Sequence, residues 1–514
     1  MALRTLYQSF LDSDPSRLRV VAQLWELELQ SSRKADMAAE LVTALATADA
    51  VDRSVDRLSA EEHDALDDLV RHGGALPWSI FTRRWGQVRA IGAGRIEREG
   101  LWRDPASAAE SLFIVGWVHR AFDDRLGKPV EMAFVPEELM LYLPAPPSLQ
   151  IAAPPTTEAP PVEEHNNDTL TDDLVTLWSA LQQADLRRDD LLSQLHSPAG
   201  RRLLLLETLS IEAGWVRQTD QGQLRPVPNA ILEWLKADPW TQWSILARAW
   251  IDSQAYNDVS TVPTLTPDPV NRWPNEPKRT RQAFLSVLRR CDADAWYDLR
   301  TFVQYVKEAT TDFLRPDGDY ESWAPRDART EAPLRGFGEW DAVEGALIAD
   351  MIRGPLAWLG LVDLGRDAID TVSTAFRLTA AARAQLTEGS PPSFPDAGPL
   401  QMDDRGEILA PPRRRFERFQ LSRIAEFIGA PGTYRYRLSP TSIDHAKQQR
   451  ISYERILAFL KQATGRKALP PAVEAAIERA YHRRAEGGRL SHTWVLRVPD
   501  PQVQIGRASC RERV

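Results

Sequence analysis

One stretch, Glu339 to Leu386, narrows the choice of folds more than any other. Trp340-Asp341 opens a helical pattern with Val343, Leu347, Ile348 and Met351 at helical spacing. Gly354-Pro355 interrupts it, and Leu356, Trp358 and Leu359 give a second apolar turn. Gly360-Leu361-Val362 then leads into a polar reversal, Asp363 to Thr374, and a short apolar strand, Ala375 to Leu378. Thr379 stands where it caps one more helix. Helix, helix, hairpin, helix is the order of a winged helix, a helix-turn-helix unit with a β-hairpin attached. Such units most often bind DNA, and many bind only other proteins.

The same grammar recurs twice upstream. Ser59 and Glu62 make a capping box ahead of Leu66, Leu69 and Val70, and Gly73-Gly74 ends that helix. Pro77-Trp78 starts the next helix, Pro105 to Val115 a third, and Gly116-Trp117-Val118 enters a hairpin around Leu126-Gly127-Lys128. A second copy closes with a helix from Leu203 to Ile211, Gly214-Trp215-Val216 and a turn at Asp220-Gln221-Gly222. Gly116, Gly214 and Gly360 thus mark three repeats of one module without a fixed period.

The resulting parse is mainly α with small β wings: tandem winged-helix modules plus a small C-terminal α+β domain. Residues 1–50 form an N-terminal helical segment, 51–143 module 1, 144–170 a Pro-rich linker and 171–260 module 2. Arg279 to Phe313 reads as helix and joins the third module within 278–390. Residues 398–500 have a different character. Leu400 to Ala410 alternates about Asp404-Arg405-Gly406, and a helix runs to Ile428. Tyr434 to Leu438 is a strand, three helices come next, and Thr493 to Val498 is a last strand. Ile505 to Val514 reads as a translated sequencing adapter, so 505–514 is taken as a non-native tail on a truncated domain.

Charge is distributed unevenly. The net charge is -9, yet residues 401–499 hold 19 Lys and Arg against 10 Asp and Glu. An acidic body with a basic last quarter directs any phosphate contact toward the C-terminal end. Two cysteines provide no disulfide framework, the N-terminus lacks a signal peptide, and no apolar run approaches a membrane span, so a cytoplasmic protein is expected.

Catalytic signals are missing from the sequence. Gly127-Lys128 is followed by Pro129, and Gly465-Arg466-Lys467 lacks the phosphate loop of a nucleotide motor. The eight histidines have no metal-ligand spacing, and Asp317-Gly318-Asp319 reads as a turn. The expectation is a non-enzyme without cofactor or metal. Nucleic-acid contacts are expected instead from Arg83, Arg84, Arg89 and Arg95 in module 1. Arg413, Arg414, Arg415 and Arg418 form a denser tract, and Arg435 and Arg437 alternate with Tyr434 and Tyr436 on a strand. Strand periodicity places the tyrosines on one face and the arginines on the other.

Trp340-Asp-Ala-Val-Glu344, Gly354-Pro-Leu-Ala-Trp-Leu-Gly-Leu-Val362 and Phe376-Arg-Leu-Thr379 carry a family pattern. Tyr434-Arg-Tyr-Arg-Leu-Ser439, Ile456-Leu-Ala-Phe-Leu460 and Leu469-Pro470 continue it. Over about 335–499 the chain resembles a helicase-associated family related to the N-terminal region of XPB-type helicases. Arg450 stands where that family usually has Gly. The resemblance implies a bacterial, motor-less protein that contacts DNA or docks a helicase or another DNA-processing protein. The alternatives are a protein-interaction scaffold without DNA binding and the truncated front of an ATP-dependent helicase.

Overall fold

The computed structural model describes residues 3–123, 129–144, 153–165, 168–182, 188–196, 200–292, 294–386, 390–394, 396–429 and 432–482. The turn at Leu126-Gly127-Lys128, the strand expected at Thr493 to Val498 and the tail from Ile505 lie outside these residues. The chain is mainly helical with small antiparallel sheets. It divides into two compact units, Met1–Ala397 with Ala430–Gly432, and Gly398–Gly429 with Thr433–Val514. No helix of the described residues is long and apolar enough to cross a membrane.

In the first unit the N-terminal helices Leu6–Asp12, Pro15–Leu24, Lys34–Leu45 and Ala48–Val55 share a core with module 1. Leu6, Phe10, Leu18 and Leu41 pack with Leu66, Leu69, Phe81, Leu112 and Trp117, so this segment is a cap fused to that module. Ser59 and Glu62 form the expected capping box on Ala60–Arg71. A strand, Ala75–Pro77, precedes the helix Trp78–Trp85, and the helix Ala108–Val115 leads to the hairpin His119–Asp123 and Val130–Phe134. The first strand pairs with the last, which pairs with the middle one.

Residues 277–378 repeat this order. The stretch read as one long helix is two, Pro277–Leu288 and Leu299–Ala309, separated by the strand Trp296–Asp298. Asp294 in a left-handed conformation (φ 60) turns the chain between them. Trp296–Asp298 pairs with Ala375–Leu378, and that strand with Val362–Arg366, giving the same strand order as upstream. Between them lies the helix that begins at Trp340-Asp341, wound as a wide turn over Asp341–Gly345 and broken at Gly354 (φ -104, ψ -108). Thr379 caps the next helix, its hydroxyl accepting from Ala382 N at 3.1 Å.

The three recurring glycines have one physical cause. Gly116, Gly214 and Gly360 lie at φ 93, 73 and 69, where a side chain is strained. Each ends a helix and turns the chain into a hairpin; Trp215 N and Leu361 N reach back five residues to Ser210 O and Leu356 O at 2.9 and 2.8 Å. The following residue, Trp117, Trp215 or Leu361, is buried.

Part of the Pro-rich stretch, read as a linker, is docked. Val162–Glu164 adds an edge strand to Val362–Arg366, with Leu364 opposite Glu164. Open backbone groups on that sheet edge make such pairing favourable. Gly365 admits the approach: a Cβ there would lie 2.1 Å from Pro160 Cγ and 2.9 Å from Trp296.

The second unit is α+β. Gln401–Met402, Glu407–Ala410, Tyr434–Arg437 and Glu426–Phe427 make one antiparallel sheet in that spatial order. The helix read as running to Ile428 stops at Leu421, and the chain returns as that edge strand. Pro440–Gln448, Tyr453–Thr464 and Pro471–His482 enclose a core of Ile408, Tyr434, Tyr436, Ile443, Leu460 and Ile477.

Gly365→Val should expel the docked segment and cost about 1–3 kcal/mol of stability. Urea unfolding measures the loss, and hydrogen exchange should show the amides of Val162–Glu164 deprotected.

Candidate nucleic-acid interface

The four arginines of module 1 expected to meet nucleic acid are held by carboxylates. Arg83, on Trp78–Trp85, gives both Oδ atoms of Asp312 a hydrogen bond from Nη2, at 2.7 and 2.6 Å, and lies 4.9 Å from the Phe337 ring centroid. Arg84 Nη1 contacts Asp68 at 3.0 and 3.2 Å. Arg89 Nε forks onto Glu110 at 2.9 and 2.8 Å, and its Nη2 donates to Asp104 O. Glu110 is buried and Arg89 half-buried, and the pair closes the entry to Ala108–Val115. Arg95 is exposed but paired with Glu99 one turn on, at 3.0 Å.

The tract Arg413 to Arg418 is not the open basic face its sequence suggests. Arg415 and Arg418 are interior, 2% and 1% exposed. On the helix Arg415–Leu421, Arg415, Arg418, Phe419 and Ser422 fall at i, i+3, i+4 and i+7, one inward stripe. Arg418 stacks on Tyr434 at 3.3 Å and donates to Pro412 O. Arg414 donates to Gly398 O and Glu417, and Arg413 is half-buried with an intramolecular partner. The stripe was visible in the spacing, but a run of three arginines masks it.

The strand Tyr434–Arg437 follows its alternation, with the tyrosines buried and the arginines exposed. Arg437 pairs with Glu407 across the strands at 2.8 Å. Arg435 faces an open hollow on the outer side of the sheet, lined also by Gln401, Asp403, Glu407, Leu409, Thr464 and Arg466, and it makes no ion pair among the described residues.

Sequence reasoning missed a second cationic site. In the hairpin Val216–Gln218 and Leu224–Pro226, Arg217 stands directly opposite Arg225. Neither makes an ion pair among the described residues; Arg225 donates only to Gln223, at 2.9 Å. Like charges in register across two strands repel and cost stability. The signal was there: counting outward from Asp220-Gln221-Gly222 puts the two arginines in register.

The third helices present almost no basic side chains. Ala108–Val115 carries no cation and buries Ala108, Ala109, Glu110, Ser111, Leu112 and Ile114. In the later copy Arg353 is the one cation between Asp341 and Leu356, and its Nε donates to Ser373 O.

Asp68 anchors the first module. Burial alone would raise its pKa, but hydrogen bonds from His72 and Trp85 and the Arg84 charge outweigh it. The carboxyl is held well below the usual carboxylate range. A depressed folded pKa contributes stability above the unfolded value of about 3.9 and loses it as pH falls. Asp68→Asn should therefore cost about 1–3 kcal/mol at neutral pH. Below about pH 3.9 the gap between variant and wild type should narrow, as read by thermal unfolding against pH.

Compared with models of known protein families and with curated proteins, the chain matches none.

Proposed function

We propose that this chain is a non-catalytic, helicase-associated type of accessory protein that contacts nucleic-acid phosphates through its hairpins and its second unit. Two strand orders support reading residues 60–134 and 277–378 as winged helices: in each, the strand before the second helix pairs with the last strand of the hairpin. With the third helices buried, contact falls to the wings rather than to a helix in the major groove. Such contact positions a protein on DNA without reading its sequence.

The carrying observation is the Arg217–Arg225 pair. Two arginines directly opposite each other on paired strands, with no ion pair among the described residues, favour an anion that both can reach, and guanidinium groups bind phosphate well. Arg435 on the second unit's sheet is the companion contact. That unit's basic character agrees: residues 401–482 hold 15 Lys and Arg against 9 Asp and Glu. A second reading, a docking scaffold for a protein partner, draws on the same buried third helices and on the arginines of module 1 that acids already neutralise.

Arg217→Ala with Arg225→Ala should weaken binding of a labelled duplex and reduce the slope of log affinity against log salt by about 1.8. Fluorescence anisotropy reads both. An unchanged slope removes the hairpin from the interface, and absence of wild-type binding at low salt favours the scaffold.

A further inference from the structure

A cavity of about 270 Å³ lies in the first unit, bounded by Leu6–Asp12, Pro15–Leu24 and Ala93–Glu99 and by the start of His119–Asp123. Arg17 lines it. Its Nη2 donates to Phe113 O at 2.6 Å and Val118 O at 3.2 Å, its Nη1 to Ser13 Oγ at 3.3 Å, and its plane stacks on Phe113 at 3.9 Å. Its Nε is buried without a hydrogen-bond partner.

None of these partners is a carboxylate, whereas Arg83, Arg84, Arg89, Arg202, Arg281 and Arg315 each have one. The acids at the cavity are engaged elsewhere. Asp12 pairs with Arg4, and Asp14 caps Ser16 N at 2.8 Å. Of the other cations there, Arg4 is the partner of Asp12 and Arg120 is paired with Glu131. Burial lowers the Arg17 pKa to about 10, which leaves the group charged at neutral pH. Burial and the Arg17 charge also keep His119 neutral, so it adds no second cation. Arg17 thus has no carboxylate ion pair among the described residues, and the apolar part of the wall beside it is Val20, Ile91, Ala93, Ile96, Phe113 and Ile114.

We propose that this cavity binds a small organic monocarboxylate, its carboxylate beside Arg17 and its apolar body against Ile91, Ile96 and Ile114. A single charge matches a monoanion, and the nearby Asp12 and Asp14 disfavour a multiply charged phosphate. The volume lies just below the roughly 300–1,000 Å³ of drug-sized ligand sites, which restricts the guest to a few carbons or one ring.

The test is calorimetric titration of the full chain with benzoate, its neutral isostere benzamide, and inorganic phosphate. Benzoate should bind saturably and at least tenfold more tightly than either comparator. Arg17→Lys should weaken benzoate at least fivefold. Ile96→Trp, which fills the cavity while leaving Arg17 in place, should abolish binding. Benzamide or phosphate binding as well as benzoate, no benzoate binding at millimolar concentration, or full binding to a folded Ile96→Trp protein would each overturn the proposal. If Arg17→Lys fails to fold, the three ligands on the wild type still decide it.

Discussion

Buried guanidinium–carboxylate pairs hold the first unit together. Arg202 meets Asp173 at 2.7 Å with both side chains almost fully buried, and Arg281 meets Asp258 at 2.6 Å. Arg315 meets Glu344 at 2.7 Å, and Arg83 meets Asp312 across 229 residues of sequence. Such a pair adds little net stability over an apolar substitute, because both charges are desolvated. Removing one partner, however, strands the other at a cost of about 3–5 kcal/mol. Their effect is therefore one of position: Asp258 is fixed by Arg281 Nε and Trp250 Nε1 together, and Arg281 also closes the carbonyls of Ser253 and Tyr256.

The same chemistry decides what is left for a ligand. A guanidinium committed to Glu110 or Asp68 cannot also neutralise a phosphate without breaking a contact that orders its own module. This is why counting arginines overstates the surface available to an anion. Arg217, Arg225 and Arg435 differ in making no ion pair among the described residues, and so does Arg17 inside a cavity.

The local parts of the fold were legible. Ser59-Glu62 is a capping box because the residues that satisfy the first-turn amides are three apart in sequence. Gly116, Gly214 and Gly360 were legible because a left-handed residue must follow a helix that turns into a strand. Tyr434–Arg437 was legible because alternation on a half-buried strand has period two. Trp296–Asp298 was not, since its apolar residues fit a helix equally well and only pairing with Ala375–Leu378 selects the strand. Val162–Glu164 was hidden for the same reason: the strand it pairs with lies far along the chain. Of the site, the sequence located arginines but not their acids, because Asp312, Asp68 and Glu110 lie far from the cations they neutralise or on another helix.

The most direct measurement is the salt dependence of the wild-type chain binding a duplex of about 30 base pairs, long enough to span several phosphate contacts. Contact through Arg217, Arg225 and Arg435 alone predicts a slope of log affinity against log salt of about -2.7. Ten free arginines would give about -9. A slope near the first value means that the buried pairs persist in the complex and that Arg217, Arg225 and Arg435 carry the contact. A slope near the second, or no binding at low salt, would contradict the account.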